Sequence, residues 1–135
     1  MRAKIFTLEE ANNTIPELSK VFEKIYYVRT KIQLIKEALD FADQTKEYTE
    51  NPDKMLERMG TLTEELKRYV AEVQSYGCLV KDLGNFLVDF YSVKENKLIF
   101  LCWKYGEKEI KFWHETQSGF KGRLPLALKE EARKN

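Results

Sequence analysis

Leu101–Pro125 reads L-C-W-K-Y-G-E-K-E-I-K-F-W-H-E-T-Q-S-G-F-K-G-R-L-P. It holds both tryptophans, the single histidine and three of the six glycines. Tyr105-Gly106-Glu107-Lys108 fits a two-residue hairpin turn with glycine first, because that position needs a positive φ. The turn predicts strands over Leu98–Lys104 and Glu109–His114. It sets Lys104 opposite Glu109, and Trp103, Leu101 and Ile99 opposite Ile110, Phe112 and His114. Side chains alternate across a strand, so this register gives the hairpin an apolar face with an imidazole at one end.

Upstream, the period stays at two back to Cys78. Cys78–Leu83 and Phe86–Tyr91 flank Gly84-Asn85, a hairpin dipeptide, and Lys94-Glu95-Asn96 forms a short loop with Asn96 suited to the left-handed region. The expectation is a four-stranded antiparallel meander. Before Cys78 the period is helical. Thr7 and Glu10 form a capping box, and Thr14-Ile15-Pro16-Glu17 repeats it, which predicts a short helix over about 8–13 and a new or kinked helix from Ile15. The stripe Ile15, Leu18, Phe22, Ile25, Val28, Ile32, Ile35, Leu39, Ala42 follows. Asn51 caps a second helix with Pro52 in its first turn, its stripe is Met55, Met59, Leu62, Leu66, Tyr69, Val73 and Tyr76, and Gly77 ends it. So short a connection makes the two helices antiparallel. The predicted fold is α+β: a long antiparallel helical hairpin, preceded by a short helix, packed on the meander. The 135 residues make a single domain, with 1–77 the helical part, 78–125 the meander and glycine loop, and 126–135 a charged tail.

The assumed turns sort the strands to two faces. Leu79, Phe86, Val88, Phe90, Leu98, Phe100, Cys102 and Trp113 make the better core face. The other carries Val80, Asp82, Leu87, Asp89, Tyr91, Ile99, Leu101, Trp103, Ile110, Phe112 and His114. That second face is too apolar to stand in water yet includes carboxylates, a phenol and an imidazole, so a second subunit or a ligand should cover it. Asp89, Trp103, His114 and Arg123 are expected to border one pocket there, with Tyr91 and Asp82 at its margin, open to a small anionic or organic ligand. Asp82 and Asp89, one diagonal apart, are candidate oxygen ligands for a divalent cation. His114, two strands from Asp89, should lie roughly 9–10 Å away, too far to share an ion. The plain alternative is structural: Asp82 closes a hairpin, Asp89 binds a local donor and His114 is a half-buried strand end. Ser118–Arg123 could converge backbone N–H groups on an anion, or simply tuck Phe120 away and pair Arg123 with an acid.

The net charge of +1 removes any general pull toward nucleic acid, and there is no RNP-like sequence. No apolar run approaches the length of a membrane span, and the N-terminus lacks an apolar signal core, so a cytoplasmic protein is expected. Cys78 and Cys102 lack CxxC spacing and read as reduced, half-buried thiols on opposite faces.

F-T-L-E-E-A-N-x-x-x-P-E-L (Phe6–Leu18), V-K-D (Val80–Asp82), L-V-D-F (Leu87–Phe90), L-C-W-x-x-G-E (Leu101–Glu107), W-H-E (Trp113–Glu115) and G-F-x-G-R-x-P (Gly119–Pro125) together resemble the bacterial and archaeal family called Domain of Unknown Function 2203. The resemblance covers Phe6–Leu126 and implies a single domain, with no activity, ligand or catalytic residue attached. The residues themselves favour a non-enzymatic binding or assembly module, a homo-oligomer with a dimer first, requiring no cofactor. The competing class is a small Mg²⁺- or Mn²⁺-dependent enzyme using Asp82, Asp89 and His114.

Overall fold

The structure is a computed structural model, and it describes residues 4–116 and 122–126. The glycine segment 117–121 and the expected tail beyond Leu126 lie outside the described residues. Two compact units emerge, Met1–Lys20 with Val73–Asn135, and Val21–Glu72. The fold is α+β: among the described residues there are two helices, α1 (Leu8–Thr45) and α2 (Pro52–Gln74), and an antiparallel sheet.

The helix ends follow the sequence. Thr7 Oγ1 accepts from Glu10 N at 3.1 Å while Thr7 N donates to Glu10 Oε1 at 2.9 Å, a reciprocal capping box. Asn51 Oδ1 accepts from Asp53 N at 2.8 Å and Pro52 opens α2. Gly77 follows α2 with φ +100°, and a Cβ there would come within 2.8 Å of Lys4 Cβ. The expected break near Pro16 is absent, and α1 runs through the proline unbroken. Proline removes one backbone donor, the bond that would reach Asn12 O. The flanking turns are nevertheless fixed: Ala11, Ile15 and Leu18 are buried, and Asn12 Oδ1 accepts from Ile110 N at 2.7 Å. Tertiary anchoring on both sides of the proline outweighs its local cost.

In the Val21–Glu72 unit, Val28 and Ile35 of α1 form a core with Met55 and Leu62 of α2, flanked by Ile32, Leu39, Met59, Leu66 and Tyr69. Lys24 Nζ lies 5.8 Å from the Tyr69 ring, so the start of this α1 segment meets the end of α2 and the helices are antiparallel.

In the other unit the described residues form a sheet of five strands in the order β1 (Leu79–Asp82), β2 (Leu87–Lys94), β3 (Lys97–Lys104), β4 (Phe112–Glu115), β5 (Leu124–Pro125). The four-strand expectation missed β5, which pairs Leu124 with Trp113 and Pro125 with Phe112. A two-residue strand interrupted by proline carries no alternation to read. Beside β2, Ile5 bridges Tyr91 in parallel, and Phe6 N donates to Tyr91 O at 2.7 Å.

The register differs from expectation at each turn. Between β2 and β3 the turn is two residues, Glu95 and Asn96, with φ 51° and 63°. That is the double left-handed geometry of a type I′ hairpin. Asn96 is left-handed as expected, but a two-residue loop in place of three slips the pairing by one. Asp89 therefore faces Cys102 rather than Leu101. Between β3 and β4 the tight turn at Gly106-Glu107 does not form. Glu107 N donates to Lys104 O at 3.0 Å, Glu107 O accepts from Trp103 Nε1 at 2.8 Å, and Ile110 N goes to Asn12. With its polar groups taken by these partners, 105–111 is a seven-residue connection, and Ile99 pairs with Glu115 instead of His114. Between β1 and β2 an irregularity lies between Val80 and Asp82.

One face of the sheet thus carries Val88, Phe90, Leu101, Trp103 and Trp113, all buried, with the Phe6 ring edge-on to Phe90 at 5.0 Å. The opposite face carries Leu87, Asp89, Phe100, Cys102 and His114, also buried.

Candidate functional site

Asp89 lies mid-way along β2 and His114 in β4, with β3 between them. Two one-residue slips, one on each side of β3, cancel. The two residues share a face as expected, but the strand between them presents Phe100 and Cys102 in place of Ile99, Leu101 and Trp103. Cys102 sits directly opposite Asp89 and its side chain ends one atom past Cβ. That small residue leaves room for the imidazole to reach over β3. His114 Nε2 lies 3.1 Å from Asp89 Oδ1, and both side chains are 1% exposed. The expected 9–10 Å gap, counted between backbones, is thereby corrected.

The hydrogen-bond geometry constrains the protons. His114 Nδ1 lies 2.8 Å from Glu115 O, a carbonyl that can only accept, so Nδ1 carries a hydrogen and donates. The Nε2–Oδ1 contact then holds one proton, on the imidazole or on the carboxyl. Burial pushes the Asp89 carboxyl up, opposed by the His114 hydrogen bond and charge, by Lys81 and by the Cys102 thiol. Asp89 Oδ2 is buried with no hydrogen-bond partner among the described residues. An unmatched carboxylate oxygen is costly in a dry site. Burial also raises the Cys102 thiol to about 11, while the nearby Arg123 charge lowers it.

Arg123 precedes β5 on the face shared by Phe112 and His114. Its guanidinium carbon is 4.1 Å from the Phe112 ring centroid, and Nη2 donates to Glu107 Oε1 at 3.1 Å and Oε2 at 3.4 Å. Tyr91 belongs to the same face: its ring lies 4.8 Å from Phe100, which lies 5.2 Å from His114.

Of the residues expected to border one pocket, Asp89 and His114 touch, Arg123 is beside them through Cys102, and Tyr91 is one ring removed. Trp103 is on the opposite face, paired with Val88. Asp82 ends β1, and its carboxylate is taken by the turn that follows: Oδ2 accepts from Asn85 Nδ2 at 2.8 Å and Oδ1 from Asn85 N at 3.2 Å. A cleft of about 430 Å³ in this unit is lined by Phe6, Leu8, Ser92, Ile99 and Leu101, on the other side of the sheet.

Sequence reasoning missed Cys102 and Glu107. The signal for Cys102 was the Glu95-Asn96 turn, which as a two-residue loop sets Cys102 opposite Asp89. The outcome is a cluster in which Asp89, Cys102 and His114 each offer one ligand atom, all within 4.8 Å of one another and all buried. The family model for an uncharacterized conserved protein, DUF2203, matches residues 4–126. The chain belongs to that family. No curated protein and no solved structure matches this DUF2203 chain. No helix among the described residues is long and apolar enough to cross a membrane.

Proposed function

We propose that this DUF2203 chain is a metal-binding module whose site is Asp89, Cys102 and His114, taking one divalent ion of the zinc class. The observation that carries the reading is the convergence of one oxygen, one sulfur and one nitrogen donor, all buried, within 4.8 Å. Zinc accepts this mixed set, whereas Mg²⁺ prefers oxygen ligands and retained water. The 3.1 Å between His114 Nε2 and Asp89 Oδ1 is close to the roughly 3.3 Å that separates two tetrahedral ligands on bonds of about 2.0 Å. Glu115 O holds the imidazole with Nδ1 protonated, so Nε2 is the ligating nitrogen. A dication with one carboxylate, one thiolate and one neutral imidazole has no net charge, which limits the cost of burial. Binding displaces the thiol proton and the proton of the Asp89–His114 contact. The fourth position is left to water or an anion.

The enzyme reading with Asp82, Asp89 and His114 has less in its favour, because the Asp82 carboxylate is engaged by Asn85 in a turn. Protein purified without chelator and analysed for metals should carry close to one zinc-class ion per chain. Cys102→Ser should carry far less. A metal-free protein that takes up no zinc on dialysis would contradict the reading.

A further inference from the structure

In α1 the buried stripe Val28, Ile35, Ala42 has a neighbour one residue earlier: Tyr27, Leu34 and Phe41. These are 61%, 60% and 64% exposed. Seven residues fall only about 20° short of two turns, so the three side chains make a second seam, roughly 100° around the helix from the first. Single exposed apolar residues are ordinary, but three large ones at heptad spacing on one helix form a stripe.

We propose that this stripe is a self-association seam, occupied by α1 of a second copy running antiparallel. The charge pattern chooses both occupant and direction. From Val21 to Lys36 the helix carries four basic residues (Lys24, Arg29, Lys31, Lys36) against Glu23. From Glu37 to the helix end at Thr45 the order reverses, with three acidic residues (Glu37, Asp40, Asp43) and no basic one. A parallel pair would set like halves together; an antiparallel pair sets the basic half of each helix beside the acidic half of the other. Centred on Leu34, it brings Tyr27 to the partner's Phe41 and Lys31 to the partner's Glu37. The same centre matches Thr30 with the partner's Ala38, two small exposed residues where the helices can approach. Such a pairing is isologous and closes at two chains. The seam lies wholly in Val21–Glu72 and the metal ligands in the other unit, so either reading can fail without the other.

The test is mass in solution against concentration, by sedimentation equilibrium on the full chain. The wild type should be a dimer, and Leu34→Glu and Phe41→Glu should each weaken association roughly tenfold or more, given the apolar area each loses. Helix content by circular dichroism should stay unchanged, since both sites are exposed. Lys31→Glu should weaken the dimer and Lys31→Glu with Glu37→Lys restore it, an outcome a folding defect at Leu34 would not obscure. Mild oxidation of mixed Tyr27→Cys and Phe41→Cys chains should give the 27–41 crosslink over 27–27. A wild type that stays monomeric, a dimer indifferent to both glutamates, or a dominant 27–27 crosslink would overturn the proposal.

Discussion

His114 Nε2 lies 3.1 Å from Asp89 Oδ1 although β3 separates their strands. The contact spans β3 above Cys102, a small side chain directly opposite Asp89. A leucine there would fill the space between carboxylate and imidazole. The same residue that permits the pair places its sulfur within 4.8 Å of both of the pair's candidate ligand atoms.

Breaking this pair should be expensive. Asp89→Ala or His114→Ala leaves the other group buried and uncompensated, for a loss of about 3–5 kcal/mol in chelator-treated protein. Urea unfolding of the two single variants and the double variant measures it. The double variant should lose less than the sum of the singles, because neither partner is then left alone. Additive losses under about 1 kcal/mol each would show that the contact does not hold the fold.

Arg123 pairs with an acid, one of the two roles its sequence context offered. It meets Glu107 and Phe112, with its side chain 12% and that of Glu107 22% exposed. Arg123→Ala should therefore cost about 1–3 kcal/mol, less than a fully buried pair, through lost stacking and lost ion pairing. Glu107→Gln should cost less, since the amide still accepts one bond. Zinc uptake per folded chain should persist in both, as measured by dialysis at a temperature where they remain folded.

Glycine positions separate in sign. Gly60 lies inside α2 with open space at its Cβ position, so Gly60→Ala should stabilise by about 0.5–1 kcal/mol through helix propensity. At Gly77, φ +100° and the 2.8 Å approach to Lys4 Cβ make Gly77→Ala destabilising by about 2 kcal/mol or more. Thermal melts of the two variants should move in opposite directions.

Alkaline stability reports on Cys78. Burial pushes its thiol up to about 12, and Sγ donates to Val73 O at 3.3 Å. An unfolded thiol ionises near ~8.5. Above that pH the unfolded chain has lost a proton the folded chain keeps, so stability falls as pH rises toward the folded value. The slope from this one group is at most about 1.4 kcal/mol per pH unit. Cys78→Ala should flatten the loss of unfolding free energy over that range, and an unchanged slope would count against the assignment.

What the sequence made legible was periodic or chemically capped. The Thr7–Glu10 box, the Asn51–Pro52 start, the Gly77 stop and the paired helical stripes all depend on contacts within a few residues, so local reading finds them. Pro16 misled because Ala11, Ile15 and Leu18 hold the helix from outside it. The sheet misled through its turns. Glu95 at φ 51° is a conformation that glutamate seldom adopts, so a three-residue loop looked better than two. The 105–111 connection is held by Asn12, 98 residues away from Ile110, a partner no local pattern reveals. Each slip moved a whole strand to the other face. That Asp89 and His114 still shared a face came from two slips of opposite consequence, while Trp103 and Cys102 exchanged places.

The most direct measurement is cobalt titration of metal-free protein followed by absorption. If Asp89, Cys102 and His114 hold one ion, Co²⁺ should give a thiolate-to-metal charge-transfer band in the near ultraviolet, saturating at one equivalent and bleached by one equivalent of zinc. Cys102→Ser should lose the charge-transfer band, and Asp89→Asn should bind more weakly with the band retained. A wild-type titration that shows only the weak spectrum of hydrated cobalt, in protein verified as folded and reduced, would contradict the metal site.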